Sequence, residues 1–417
     1  MGAALLLSFV LAAPGPVNRP CPMGGVVVRD GDELRAALAG DARDLWVSGR
    51  VKGDFEAKRA IALHGCDGAV LEGSGEGTVL KVHGDDVLVE DVVFEKSGAR
   101  VSFEDGALKV TGERAVVRRV TVRDTLYGIA FEQCHSCLLE DADISGRPGI
   151  EENQRGDGVK LWEAHGSSVR RLRVHDVRDL VVWYSRHVTL EDNVITGGRY
   201  GTHFMYAHDS TVRRSVMRGN TVGIFVMYSA RVLAEDNEIS GARGPAGMGI
   251  GFKEADAVTL RRNAIVANTT GTYLDSTPRD PKQPVLFEDN VLALNAVALR
   301  THSSEHGATF LHNDFTGNDM LVEVDGNGDA LGVDFEGNHW DTYAGYDLNR
   351  DGVGDVAFQV KRASSVLADA HPDLKWFHGT AAFGLYDAVA SALPYFATTL
   401  VLQDKKPAVK PHRELAR

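Results

Sequence analysis

Only four cysteines and 13 prolines occur in 417 residues, and no basic cluster stands outside the tail from Lys405 to Lys410. With a net charge of -13, such a chain is poorly equipped to neutralise phosphates, which argues against nucleic acid as a ligand. An acidic polysaccharide is disfavoured less strongly, because a local basic groove can sit within an acidic total. Helical apolar runs are scarce as well; the apolar stretches are short and β-branched, as in strands. What is present supports a folded chain. Hydrophobic residues make up 43% and charged residues 25%, with 45 glycines, so the composition is neither that of a disordered chain nor that of an integral membrane protein.

The dominant positive feature is an internal repeat. Phrases such as VTLEDN, AEDN, LFEDN and FEGN share a register whose final slot falls on Val92, Val120, Ala142, Leu172, Asn193, Ser215, Asn237, Asn263, Asn290, Asn313 and Asn338. Successive slots lie 21 to 30 residues apart. A period in this range built from strands predicts a right-handed parallel β-helix, an all-β solenoid in which each coil buries its face against its neighbours. Longer spacings coincide with the Pro- and Gly-bearing insertions at 146–156, 243–247 and 277–284, read as corner loops. The recurring Asn needs no ligand, since amides stacked about 4.8 Å apart hydrogen-bond each other and the turn backbone.

The expected organisation is a signal peptide at 1–13, an N-terminal cap at 14–44, the β-helix at 45–345, an acidic Asp/Asn loop at 346–362, an apolar C-terminal helical segment at 363–402 and a basic tail at 403–417. The run AALLLSFVLAA before Pro14-Gly15-Pro16 suits an export signal although it lacks a positive start, and it is too short to span a bilayer. Four cysteines are consistent with an oxidising compartment. Cys21 and Cys66 can pair to pin the cap. Cys134-His135-Ser136-Cys137 has redox or metal spacing, but with no second such pair it reads more simply as a corner disulfide or two packed thiols. The stretch DGDELRAAL (Asp30 to Leu38) predicts a short capping helix.

Aligning GDGVKLWE, RDLVVWYS, YGTHFMYA and VGIFVMYS places Leu161, Val182, Phe204 and Val226 in one inward column. Strand alternation then turns Lys160 and Trp162, Val181 and Trp183, His203 and Met205, and Phe225 and Met227 outward, with Glu163, Tyr184, Tyr206 and Tyr228 alongside. A stripe containing Trp162, Trp183, Met205 and Met227 marks a partner surface first. Cover by a long loop is the second reading. Binding of copper(I) by His203, Met205 and Met227, whose thioether and imidazole groups suit that ion, is the third.

Asp347, Asn349, Asp351 and Asp355, with the Val353 carbonyl, follow the oxygen spacing of a calcium loop, but Phe358 stands where the bidentate Glu belongs. A non-EF calcium loop and an Asx-rich turn are both open readings. His302 and His306 fall on strand and turn, where their spacing loses its ligating meaning. The segment Phe383 to Leu402 contains one charge, Asp387, and an interrupting Pro394, so it is long enough to span a membrane yet poorly built for it. Helical spacing gives it one apolar face of Phe383, Tyr386, Ala390 and Leu393 and another of Leu385, Val389 and Phe396. It is read as an apolar anchor inserted into a membrane partner or into the bilayer surface, giving membrane contact through the C-terminal segment, rather than as a cap, and as separable from the β-helix by truncation at Ala363.

The run NHWDTYAGYDLNRDGVGDVAF (Asn338 to Phe358), with GDGVKLW and RYGTHFMY, resembles the NosD family from about the first coils to the C-terminus. That resemblance implies a periplasmic β-helix that works with the ABC transporter formed by the permease NosY and the ATPase NosF. It also implies a role in assembling the copper-sulfide centre of nitrous-oxide reductase, with the lipoprotein NosL as copper donor, and no turnover of its own. The partner residues read from the outward stripe and the apolar segment are Trp162, Trp183, Tyr184, Tyr206, Tyr228, Phe383, Tyr386, Leu393 and Phe396. The rival is a carbohydrate-binding β-helix or a polysaccharide lyase or epimerase, which requires acid and base residues clustered on one outward face. Gly84-Asp85-Asp86 resembles one polygalacturonase motif, but no Asn-Thr-Asp or Arg-Ile-Lys run accompanies it.

Overall fold

The computed structural model describes residues 15–303, 305–325, 328–364, 367, 371–377, 380–393 and 398–413. The export run 1–13 and Phe396 lie outside them. The described residues divide into two compact units, with the boundary between Ile239 and Ser240. Each is a parallel β-solenoid, as the repeat predicts.

In the unit up to Ile239, strands from successive coils pair residue on residue. Leu88–Glu90, Val116–Arg118, Leu138–Glu140, Ser168–Arg170, Thr189–Glu191 and Thr211–Arg213 form one such parallel ladder. Their central side chains, Val89, Val117, Leu139, Val169, Leu190 and Val212, are fully buried. The solenoid starts earlier than position 45, because Val26–Val28 pairs in parallel with Asp44–Lys52. Between these strands lies the helix Gly31–Ala39. The Asp30 carboxylate accepts the N–H groups of Asp32 and Glu33, while Glu33 reaches back to the Arg29 N–H at 2.7 Å. Both contacts satisfy otherwise orphan groups at this end. Leu34 and Leu38 are its buried side chains. Two disulfides are present, Cys21–Cys66 and the local Cys134–Cys137.

The corner following this ladder has a charge alternation that the repeat reading passed over. Glu-Asp at 90–91, 140–141 and 191–192 alternates with Arg-Arg at 118–119, 170–171 and 213–214 on the coils between. Each second residue turns the corner with positive φ, from 47° at Arg214 to 61° at Asp91. Arg119 bonds Asp91 at 2.8 Å and Arg171 bonds Asp141 at 2.7 Å, and Arg214 pairs with both Glu191 and Asp192. Like charges directly above one another would repel, so the alternation turns each of these coil-to-coil contacts into an attraction.

Glu90 sits at the centre of this network, bonded by Arg19, His64, Arg118 and Arg119. Burial acts to raise its pKa, but those hydrogen bonds outweigh burial and hold it at about 2, below the ordinary 4.5. A carboxylate depressed in the folded state stabilises above its unfolded pKa and loses that contribution as pH falls from 4.5 towards 2. Glu90→Gln is therefore expected to unfold at milder denaturant than the native protein at pH 7. The difference should shrink on acidification through this window, as followed by circular dichroism; a difference independent of pH would remove Glu90 as its source.

In the unit from Ser240 onward the core becomes aromatic. Phe287 stacks on Phe310 at 4.1 Å, Phe310 on Phe335 at 5.1 Å, Phe315 on Trp340 at 4.2 Å and Trp340 on Phe358 at 4.6 Å. Beside it runs the Asn ladder. The carbonyl oxygens of Asn290, Asn313 and Asn338 each accept the backbone N–H of the Asn one coil earlier, at 2.9 Å. Their side-chain amides donate to Leu260, Phe287 and Phe310 carbonyls. A second ladder, five residues further along each coil, joins Asn268, Asn295 and Asn318 in the same manner.

The first ladder ends on Asp404, not on solvent. The strand Thr399–Asp404 runs antiparallel to Phe358–Arg362 and meets Phe335 in parallel register. The boundary expected at 402 thus falls inside a strand. The segment after it is also fastened: Lys406 pairs with Glu336 at 2.8 Å, Ala408 donates to the Asn338 carbonyl, and the His412 and Arg413 N–H groups donate to Asp314. One ion pair and three backbone N–H bonds thus tie this basic segment to the last coils.

Candidate functional site

The four strands Val159–Trp162, Asp179–Trp183, Tyr200–Met205 and Val222–Met227 pair in the register read from the sequence. Leu161, Val182, Phe204 and Val226 are aligned and buried. Trp162, Trp183, Met205 and Met227 are aligned as well, on the outward side and half-buried. Beside them, Tyr184, Tyr206 and Tyr228 each occupy the left-handed corner with φ of 48–50°. Left-handed turns repeated at the same position on successive coils throw the three rings into one stack, with centroids 5.0 Å apart at both steps. Trp183 stacks on Tyr184 at 5.5 Å. Tyr184 is 46% and Tyr206 37% exposed. Trp183 Nε1 is buried without a hydrogen-bond acceptor among the described residues.

The neighbouring outward column differs from expectation. Lys160, Val181 and His203 point away from the core but are less than a tenth exposed. Lys160 is held by the Glu104 carboxylate at 2.6 Å, and His203 is flanked by Tyr200 at 4.8 Å and Phe225 at 6.0 Å. Large neighbours cover what alternation alone leaves open. The insertion 146–156 is tied down by Arg147 on the Ser97 carbonyl, Arg155 on the Gly197 carbonyl and Glu152 accepting from Thr221.

His203 Nε2 lies 3.3 Å from Met227 Sδ, and its Nδ1 is 3.8 Å from Asp179. For Asp179, burial acts to raise the pKa, but hydrogen bonds from His203 and Arg199 prevail and hold it below the ordinary carboxylate range. The imidazole nitrogen and the thioether sulfur therefore stand side by side on the outward face, with the Asp179 carboxylate on the other side of the ring. Asp157, paired with Arg178 at 2.9 Å, is pushed up by burial. It lines a small recess with Tyr127, Lys109, Lys160 and Glu104, whose lysines are engaged by Glu132 and Glu104. Asp86, in the Gly84-Asp85-Asp86 run, is committed to Arg114 through two bonds of 2.8 and 3.1 Å.

In the 347–355 loop, Asp347 accepts the N–H groups of Arg350, Asp351 and Gly352, Asn349 accepts that of Asp351, Asp351 that of Val353, and Asp355 that of Leu348. This is the bonding of an Asx-rich turn. Among the described residues, the His, Cys, Asp or Glu groups that converge as a trio are Cys21, Cys66 and Asp67.

The C-terminal helix spans Ala381–Ala392. Asp387, the one charge in the apolar segment, accepts the N–H groups of Ala363 and Ser364 and the Ser364 hydroxyl. Phe383 and Tyr386 are half-buried and Ala390 is buried. Leu385, Val389 and Leu393 face outward at 67%, 44% and 46% exposure, and Phe377 is 52% exposed. Of the two expected apolar faces, the one containing Leu385 and Val389 is therefore free, joined by Leu393 from the other. No helix among the described residues is long and apolar enough to cross a membrane.

A parallel β-solenoid carrying an aromatic and thioether face and an exposed apolar helix stripe has the features of a binding scaffold. The chain resembles NosD proteins. Residues 140–345 match the family model described as periplasmic copper-binding protein (NosD). Two relatives carry the name probable ABC transporter binding protein NosD. That of Stutzerimonas stutzeri is 25% identical, covering 89% of this chain and 88% of its own, and that of Pseudomonas aeruginosa is 26% identical, covering 94% and 91%. Among solved structures, the A-module of the Azotobacter vinelandii mannuronan C-5 epimerase AlgE4 is 14% identical at a TM-score of 0.42, covering 76% of this chain and 92% of that one. The catalytic domain of a GH87 alpha-1,3-glucanase is 10% identical at 0.49, covering 78% and 70%.

Proposed function

We propose that this chain is a periplasmic accessory protein without turnover of its own, which docks on an ABC transporter and serves maturation of the copper-sulfide centre of nitrous-oxide reductase. The exposed stripe of Leu385, Val389 and Leu393 carries the docking part of the reading: apolar side chains at helical spacing with no cover fit a groove in a partner. The names of the two relatives support a transporter as that partner. In this reading the permease is NosY, the ATPase NosF, the copper donor NosL, and the aromatic face of Trp162, Trp183, Tyr184, Tyr206 and Tyr228 receives NosL or the reductase. A pull-down of the detergent-solubilised transporter by the purified chain tests it. Absence of binding, together with cleavage of a uronate polymer, would transfer the assignment to the carbohydrate-active class.

Copper(I) enters this reading as transient cargo. The donor chemistry fits a soft ion: an imidazole nitrogen lies 3.3 Å from a thioether, and the half-buried Met205 belongs to the same outward column. His203 and Met227 would hold the ion, with Met205 beside them. Competition against a chromogenic copper(I) chelator is expected to show binding that falls about 10-fold or more in His203→Ala and in Met227→Leu. Unchanged competition in both variants would remove copper from this face.

A further inference from the structure

A second potential soft-ligand site lies at the N-terminal end, independent of the docking face. We infer that Cys21, Cys66 and Asp67 form a metal site that the disulfide keeps closed and that reduction opens. Cys21 Sγ, Cys66 Sγ and an Asp67 carboxylate oxygen lie within 4.8 Å of one another, and Cys21 Sγ is 3.1 Å from Asp67 Oδ2. Sulfur in a disulfide is a poor metal ligand, whereas two thiolates and a carboxylate make a donor set for zinc, cadmium or copper(I) with a position left open. The conversion balances with a dithiol as reductant. Its thiolate attacks one sulfur, the S–S bond breaks through a mixed disulfide, and the donor leaves oxidised while the chain gains two thiols, whose protons are released when the metal binds.

For the site to exist after reduction, the thiols must stay together, and the surrounding contacts hold them. Cys66 is anchored in the strand Ala62–Glu72 and is 1% exposed. The segment carrying Cys21 is tied down without the sulfur bond. Val17 N–H donates to Asp91 at 3.0 Å, Asn18 accepts from Gly68 N–H at 2.9 Å, and Asp67 N–H donates to the Arg19 carbonyl at 2.9 Å. The Arg19 guanidinium pairs with Glu90 at 2.8 Å and Asp91 at 3.1 Å and lies 4.8 Å over the Trp46 ring. Asp67 is oriented from the other side by Ser48 Oγ at 3.4 Å. Cys21 is only half-buried, so a reductant can reach it. Cys134 and Cys137 are both buried to within 1%, so that disulfide is shielded.

The test uses the full chain and cadmium. The protein is reduced with a phosphine, freed of reductant without air, and titrated with Cd²⁺ while the ultraviolet thiolate-to-cadmium charge-transfer band is followed. Stoichiometric binding is expected after reduction and none before. Cys21→Ser should abolish the band, Asp67→Asn should weaken affinity about 10-fold, and the double variant Cys134→Ser/Cys137→Ser should bind like the native chain. Binding that survives Cys21→Ser, or that disappears with Cys134 and Cys137, overturns the assignment. So does loss of the native circular dichroism on reduction, because the site requires its backbone ties to hold unaided.

Discussion

Replacing Asp404 with Ala is expected to cost about 3 kcal/mol or more in the C-terminal coils, because four neutral donors lose their one acceptor in a buried space, each unsatisfied group costing about 1–3 kcal/mol. Asp404 is fully buried. One carboxylate oxygen accepts the Asn338 N–H at 3.0 Å, the Asn338 side-chain amide at 3.1 Å and Trp340 Nε1 at 3.2 Å, while the other accepts the Lys406 N–H at 3.0 Å. An alanine leaves these donors unanswered in a space closed by Phe335, Phe358 and Trp340, of which none is more than 8% exposed. Asp404→Asn should be far milder, about 1–2 kcal/mol, since an amide oxygen can accept as the ladder asparagines do. Hydrogen exchange of the backbone at 335–340 reads the difference directly: protection should collapse in the alanine variant and largely persist in the asparagine variant. Equal protection in both would mean that the ladder does not end where this contact places it.

The double variant Leu385→Glu/Val389→Glu is expected to weaken capture of the solubilised transporter by about 100-fold or more, because a docked apolar face would then bury two carboxylates without partners. Folding should be unaffected, since both side chains are already exposed in the free chain. Tyr386→Ala is the structural contrast. It removes a half-buried ring on the helix side where Ala390 is buried, and should lower stability more than a surface change would. Capture unchanged by the double variant would shift docking to the aromatic face around Trp183. Truncation at Ala363, the separation suggested by the sequence, cannot serve here. It removes Thr399–Asp404 along with the helix, so lost binding and a damaged last coil would be indistinguishable.

Much of the site was readable because a parallel solenoid stacks residues in register, so aligning its repeats in sequence aligns them in space. Trp162 over Trp183 and Met205 over Met227 follow from that rule alone. The alternation of Glu-Asp with Arg-Arg, and the second Asn ladder at 268, 295 and 318, were equally available in the letters. Their signals are charge sign compared between coils and an Asn five residues after each slot, neither of which a search for one repeating residue detects. Other features depended on what lies across from a residue. Strand alternation puts His203 outward, but only the rings of Tyr200 and Phe225 make it buried. Helical periodicity offers two apolar faces between Phe383 and Phe396, but only the packing of the last coils decides that Leu385 and Val389 stay exposed.

The sequence by itself determined the solenoid, its register and the residue types on each column, because these depend on chain-local alternation and on the repeat length. Tertiary structure decided which outward residues are covered, that His203 meets Met227, that Asp404 closes the ladder, and that Cys21 and Cys66 converge with Asp67. Those contacts join residues from 24 to 66 positions apart, and they are set by side-chain volume and charge pairing rather than by any local period.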